Sequence, residues 1–110
     1  MDITTSAKRL ASLGHENRLE LFQLLVQAGP NGMTIGELQT ALDRPASTLA
    51  FHLRELVSAG LVDQEKEGRM VRCRANYLAL NEVLQFVKQK CCQGVSLPVF
   101  VAGQAETCAG

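Results

Sequence analysis

Apolar side chains return every three to four residues along most of this chain, and the period shortens to two only in one stretch past the middle. Near the N-terminus Ala7, Leu10 and Ala11 predict a short helix from about Thr4 to Leu13, ending before Gly14. Between His15 and Ala28 a broader stripe of Leu21, Phe22, Leu25 and Val26 predicts a second, stopped by Gly29-Pro30-Asn31-Gly32. Thr34 with Glu37 three residues later has the form of a capping box and opens a third helix to about Leu42. Asp43-Arg44-Pro45 interrupts it, because the residue before proline is pushed out of the helical region while proline itself suits a first helical turn.

From Pro45 to Ala59 the pattern is helical again, with Leu49, Leu53, Leu56 and Val57 on one side. At about 100° per residue the opposite side is centred on Ser47, Phe51, Arg54 and Ser58, with Thr48 and His52 at one margin. Gly60 is its natural stop. Leu61 to Glu67 and Arg69 to Ala75 then alternate as two strands around a turn at Gly68, with Val71, Cys73 and Ala75 on one face and Met70, Arg72 and Arg74 on the other. A last helix is expected from Tyr77 to Cys92, where Leu80, Leu84, Val87 and Cys91 share a stripe widened by Val83 and Phe86. Two short helices across a tight break, followed at once by a hairpin, outline a helix-turn-helix with a wing. The expected fold class is therefore mainly α with a small β-hairpin. One domain is expected over residues 1–93, and a Gly-, Ala-, Ser- and Pro-containing tail over 94–110.

That outline points to double-stranded DNA. A recognition helix needs one side that fixes it and one that approaches base edges in a major groove about 12 Å wide. In Pro45 to Ala59, Ser47 and Thr48 can donate to phosphate or base, Phe51 can meet a thymine methyl, and Arg54 can reach phosphate or guanine; His52 sits where contact and core meet. Arg69, Arg72 and Arg74 of the hairpin suit phosphate or the minor groove. A solvated helix face and a solvated strand face are the plain alternatives for each group.

Composition narrows the picture. The chain of 110 residues is 46% apolar, a size at which one core is marginal and dimerisation would supply further burial. Eleven basic residues balance eleven acidic ones, so attraction to phosphate has to come from local clustering and a two-fold pair of subunits rather than from net charge. The N-terminus lacks a signal-peptide core and no window approaches the ~18 apolar residues of a membrane span, so a cytoplasmic protein with no membrane partner is expected.

In that compartment four cysteines read as free thiols, metal ligands or redox switches rather than structural bridges. Cys73 shares a face with Val71 and Ala75 and reads as core. Cys91, Cys92 and Cys108 gather toward the C-terminus, and three thiolates suit a trivalent metalloid whose lone pair fills the remaining direction. Neighbouring side chains on an intact helix diverge by about 100°, so the adjacent pair can share one atom only if the terminal turn opens. Zinc would want a fourth ligand, and only Glu106 or a water is near in sequence. Oxidation to a disulfide or persulfide is the rival thiol chemistry, with Lys88 and Lys90 at hand to stabilise thiolate. No nucleophile–base pair, acid pair or phosphate-binding glycine loop is visible, so no enzyme and no required cofactor are expected.

The runs Leu13-Gly-His-Glu-Asn-Arg-Leu-Glu-Leu-Phe-Gln-Leu-Leu25, Ser47-Thr-Leu-Ala-Phe-His-Leu-Arg-Glu-Leu-Val-Ser-Ala-Gly-Leu-Val62 and Glu67-Gly-Arg69 resemble the ArsR/SmtB family of winged-helix metalloregulators over about residues 5 to 92. The resemblance implies a homodimer joined through the first and last helices, an apo repressor on an operator overlapping its own promoter, and release when inducer binds. The family's cysteine motif on the third helix is absent from Glu37 to Leu42, and its last-helix zinc site is absent because Asn81 to Lys90 has no histidine. What remains is similar to the arsenical repressors, with Cys91, Cys92 and Cys108 mapping onto their C-terminal cysteines. The expected inducer is As(III), with Sb(III) and methylated As(III) as further candidates. A repressor of the same fold responding to thiol oxidation or persulfide is the alternative, and a winged-helix protein–protein module without an operator is the rival from another class.

Overall fold

The computed structural model describes residues 1–96. Helix α1 spans Ile3–Leu13 and α2 Glu16–Ala28; a 3-10 turn over Gly29–Asn31 leads into a two-residue strand β1, Met33–Thr34. Helices α3, Ile35–Leu42, and α4, Ala46–Ser58, follow, then strands β2, Val62–Glu67, and β3, Met70–Ala75, and finally α5, Tyr77–Lys88. The three strands form one antiparallel sheet in the order β1-β3-β2.

Local chemistry explains most of the boundaries. Asp2 accepts from the Thr5 amide at the start of α1, the His15 Nδ1 accepts from the Asn17 amide at the start of α2, and Asn76 caps α5 through the Ala79 amide. The box at α3 closes in both directions: Thr34 Oγ1 accepts from the Glu37 amide at 3.2 Å, and Glu37 accepts from the Thr34 amide at 2.8 Å. That second bond holds the Glu37 carboxyl below the usual range. Asp43, with φ of 50°, ends α3 in the left-handed region, and Pro45 stands in extended backbone at the N-cap of α4 without a side-chain cap. In the hairpin Glu67 pairs with Met70, so the loop is Gly68-Arg69; the positive φ of Gly68 at its first position matches a twist-compatible two-residue turn.

Strand β1 escapes the sequence pattern, because two residues carry no period. Its approach depends on Gly32: a Cβ there would lie 2.1 Å from the Cys73 carbonyl oxygen, so only glycine lets the chain come this close to β3. The core unites Leu21, Phe22 and Leu25 of α2, Leu38 of α3, Leu49, Leu53 and Leu56 of α4, Leu61 and Val62, Cys73 and Ala75 of β3, and Ala79 of α5. Burial pushes the Cys73 thiol above its ordinary value, and Gln64 donates to its sulfur at 3.6 Å. This is the packing role expected for it.

One expected element is shorter. Helix α5 ends at Lys88 rather than at Cys92, because Gln89 turns to extended backbone and Lys90 and Cys92 both take positive φ. Its inward line is Ala79 and Val83, while Leu78, Leu84 and Val87 are exposed. Cys91 therefore lies beyond the helix and off any stripe. No described helix is long and apolar enough to cross a membrane.

Candidate nucleic-acid interface and thiol site

Helix α4 is held from one side only. Leu49, Leu53 and Leu56 are sealed in the core, and burying three leucines contributes about 1.5–3 kcal/mol each to fixing its attitude. Ser47, Phe51, Arg54 and Ser58 face outward, and Thr48 is half-buried at the margin. Phe51 is 49% exposed, an aromatic body left in solvent beside a hydroxyl and a guanidinium. The turn before α4 is anchored by Arg44, which donates to Asn17 Oδ1 and to Glu20 on α2, the latter at 2.6 Å. This clamp sets how far α3 and α4 stand from α2.

His52 is placed differently from its neighbours in the outward group. Its ring is 6% exposed and packs on His15 at 5.0 Å between centroids and on Phe51 at 5.3 Å, so it lies inside the margin rather than on the groove-facing side. The reason is angular: one residue past Phe51 rotates the side chain about 100°, toward α2. Burial first, then the nearby His15, Arg18 and Arg44, push its pKa below the ordinary 6.5. Both effects favour the neutral ring, and its Nδ1 has no hydrogen-bond partner among the described residues.

The wing arginines separate in the same way. Arg69, at the hairpin tip, is exposed. Arg72 and Arg74 are half-buried and bound within the molecule: Arg72 reaches Glu67 at 3.0 Å and the Asn31 carbonyl at 3.0 Å, while Arg74 reaches the Pro30 carbonyl at 3.0 Å and Glu65 at 3.3 Å. Both guanidiniums brace the sheet against the 3-10 turn, where the sequence pattern has them pointing outward as phosphate contacts. The acids opposite them were visible in the sequence; the carbonyls of Pro30 and Asn31 were not, because only β1 brings that turn alongside β3.

Two adjacent cysteines sit past the end of α5. Cys91 and Cys92 are exposed, and their sulfurs lie 3.2 Å apart. The positive φ of Cys92 produces this, by breaking the helical divergence of adjacent side chains. Both residues lie beyond the helical backbone of α5. Two bonds of about 2.3 Å to a shared atom would span that separation at an angle of about 90°, narrower than zinc's tetrahedron and close to the pyramid of a trivalent metalloid. Cys108 lies outside the described residues, and among the described residues no three ligand-type side chains gather as a metal site.

A helix-turn-helix domain model matches residues 13–65, from the end of α1 into β2. No curated protein matches the sequence. Among solved structures, the chain is similar to an ArsR-like transcriptional regulator from Rhodococcus sp. RHA1, at 30% identity over 78% of each chain with a TM-score of 0.69. It is also similar to reduced HlyU from Vibrio cholerae N16961, at 25% identity over 80% of this chain and 90% of that one, TM-score 0.62. A third likeness is to the homodimeric winged helix-turn-helix DNA-binding domain Mb0332 from Mycobacterium bovis, at 25% identity over 80% and 82%, TM-score 0.63. With a half-exposed aromatic on a braced recognition helix and a hairpin wing behind it, the chain is a helix-turn-helix transcriptional regulator and belongs to the ArsR family.

Proposed function

We propose that this regulator is a cytoplasmic repressor that binds its operator as an apo homodimer and is released when trivalent arsenic joins Cys91 and Cys92, with Cys108 as third thiolate. Antimony and methylated arsenite, the latter with only two exchangeable positions, belong to the same ligand class. The observation that carries the reading is the pair of sulfurs held 3.2 Å apart directly behind α5. A dimer is supported by the apolar side chains that α1 and α5 leave in solvent, Ile3 and Leu10 on one and Leu78, Leu84 and Val87 on the other, and by the homodimeric state of the Mycobacterium bovis neighbour. Metalloid capture at the end of α5 pulls on the helix that pairs the subunits and so alters the spacing of the two α4 helices.

On the DNA side, Ser47, Thr48, Phe51 and Arg54 read the major groove and Arg69 meets the backbone, while Arg72 and Arg74 hold the wing that presents it. Arsenite titrated against a fluorescent operator complex tests the reading, with Cys91→Ser, Cys92→Ser and Cys108→Ser in parallel. Release by arsenite that disappears in Cys91→Ser and Cys92→Ser is expected; equal release in either would refute it.

The same two sulfurs favour a second reading, oxidation to a disulfide or persulfide that releases DNA, and the likeness to a regulator solved in its reduced form points the same way. Peroxide or polysulfide acting where arsenite does nothing selects it.

A further inference from the structure

Helix α4 is closed by Gly60, whose positive φ lets the Gly60 and Leu61 amides donate to the Val57 and Leu56 carbonyls. Its last turn contains no basic residue, although the C-terminal end of a helix carries partial negative charge. The cation that meets this end comes from α1. Arg9 donates from Nε to the Ala59 carbonyl at 3.2 Å, and from Nη1 to the Ala79 carbonyl at 3.1 Å and Glu82 at 3.3 Å. Ala59 is the C-cap of α4, and Ala79 and Glu82 lie in the first half of α5. One rigid guanidinium, with a side chain only 15% exposed, therefore touches the end of the recognition helix and the beginning of the last helix at once. Nearby, Ser12 of α1 donates to the Glu55 carbonyl of α4 at 3.5 Å, so α1 meets that turn twice.

We infer that Arg9 is the positioning residue that ties the attitude of α5 to the attitude of α4. The inference rests on the proposed release by a ligand at the end of α5, and it names the route. A fork fixed to both helices transmits a tilt of one to the other, whereas apolar packing alone lets them slip. Charge without the fork preserves attraction to the two helix ends but not their relative angle. Arg9 takes no part in reading DNA or in holding the inducer.

The experiment measures operator affinity with and without arsenite by fluorescence anisotropy, and arsenite binding by the ultraviolet thiolate–arsenic absorption. The wild-type ratio of the two affinities is expected to lie in the range of about 5–150-fold typical of linked sites. In Arg9→Gln the apo affinity and the arsenite stoichiometry should hold while that ratio falls below about threefold, with Arg9→Lys intermediate. Wild-type release in Arg9→Gln overturns the inference, and so does a parallel loss of apo affinity and thermal stability, the behaviour of a plain strut. If arsenite leaves the wild-type complex intact, the inducer assignment fails, and Arg9 is judged by hydrogen exchange at the amides of Ala59, Gly60 and Leu61. Glu82→Ala should speed that exchange in the wild-type background and not in Arg9→Gln; an equal effect in both backgrounds overturns the inference.

Discussion

Replacing Val87 by glutamate should take the protein apart into folded monomers. Val87 is 60% exposed in the last turn of α5, whereas Val83, one turn earlier along the helix, is sealed inside the chain. Full burial of a valine contributes about 1.5–3 kcal/mol, so covering that exposed fraction supplies about 1–2 kcal/mol per protomer. Two-fold symmetry places the residue at the interface twice, which makes about 2–4 kcal/mol per dimer and a rise in dissociation constant of about 30- to 700-fold before the cost of burying a carboxylate is added. Sedimentation velocity across a dilution series reads the constant, and circular dichroism confirms that the monomer stays helical. Operator affinity should fall with dimer concentration. A Val87→Glu protein that remains dimeric at wild-type concentrations would refute the placement of α5 between subunits.

Further outcomes follow from the same geometry. Arg69→Ala should weaken DNA binding about equally on all sequences and lower the slope of log affinity against log salt by about one, read from titrations at several salt concentrations. Phe51→Ala should leave the urea midpoint close to wild type, since the ring is half exposed, yet reduce the preference for operator over random DNA. Arg72→Ala should act through the fold: loss of its bonds to Glu67 and the Asn31 carbonyl loosens β1 and the 3-10 turn, seen as faster hydrogen exchange at Met33 and Thr34. His52, with its pKa pushed down by burial, binds protons more readily unfolded than folded. Its contribution to stability is full above the ordinary 6.5 and is lost as pH falls from there toward the folded value, so the drop in urea midpoint over that window should shrink in His52→Asn.

Much of this architecture is legible in the sequence because its signals are local. Thr34 with Glu37, the leucines of α4 and Gly68 each act within a few residues, and each marks the element it predicts. The caps at Asp2, His15 and Asn76 were equally local and are a matter of looking for a side-chain acceptor before each helix. What hides is whatever depends on a partner far along the chain. Strand β1 exists because Gly32 lets it lie against Cys73, some forty residues on, and this in turn captures Arg72 and Arg74 on the Asn31 and Pro30 carbonyls. Arg9 is silent for the same reason, its acceptors lying fifty and seventy residues away. The end of α5 misleads in the opposite sense: a regular Leu84, Val87, Cys91 spacing continues on paper past the point where Gln89 leaves helical backbone.

Arsenic X-ray absorption on the arsenite-loaded protein tests the account at its centre, where two sulfurs brought together behind α5 by a left-handed residue are said to grip a metalloid. A shell of sulfur alone, about three atoms in the wild type and fewer in Cys92→Ser, is the predicted result. An oxygen-dominated shell, or a sulfur count unmoved by Cys92→Ser, would contradict it.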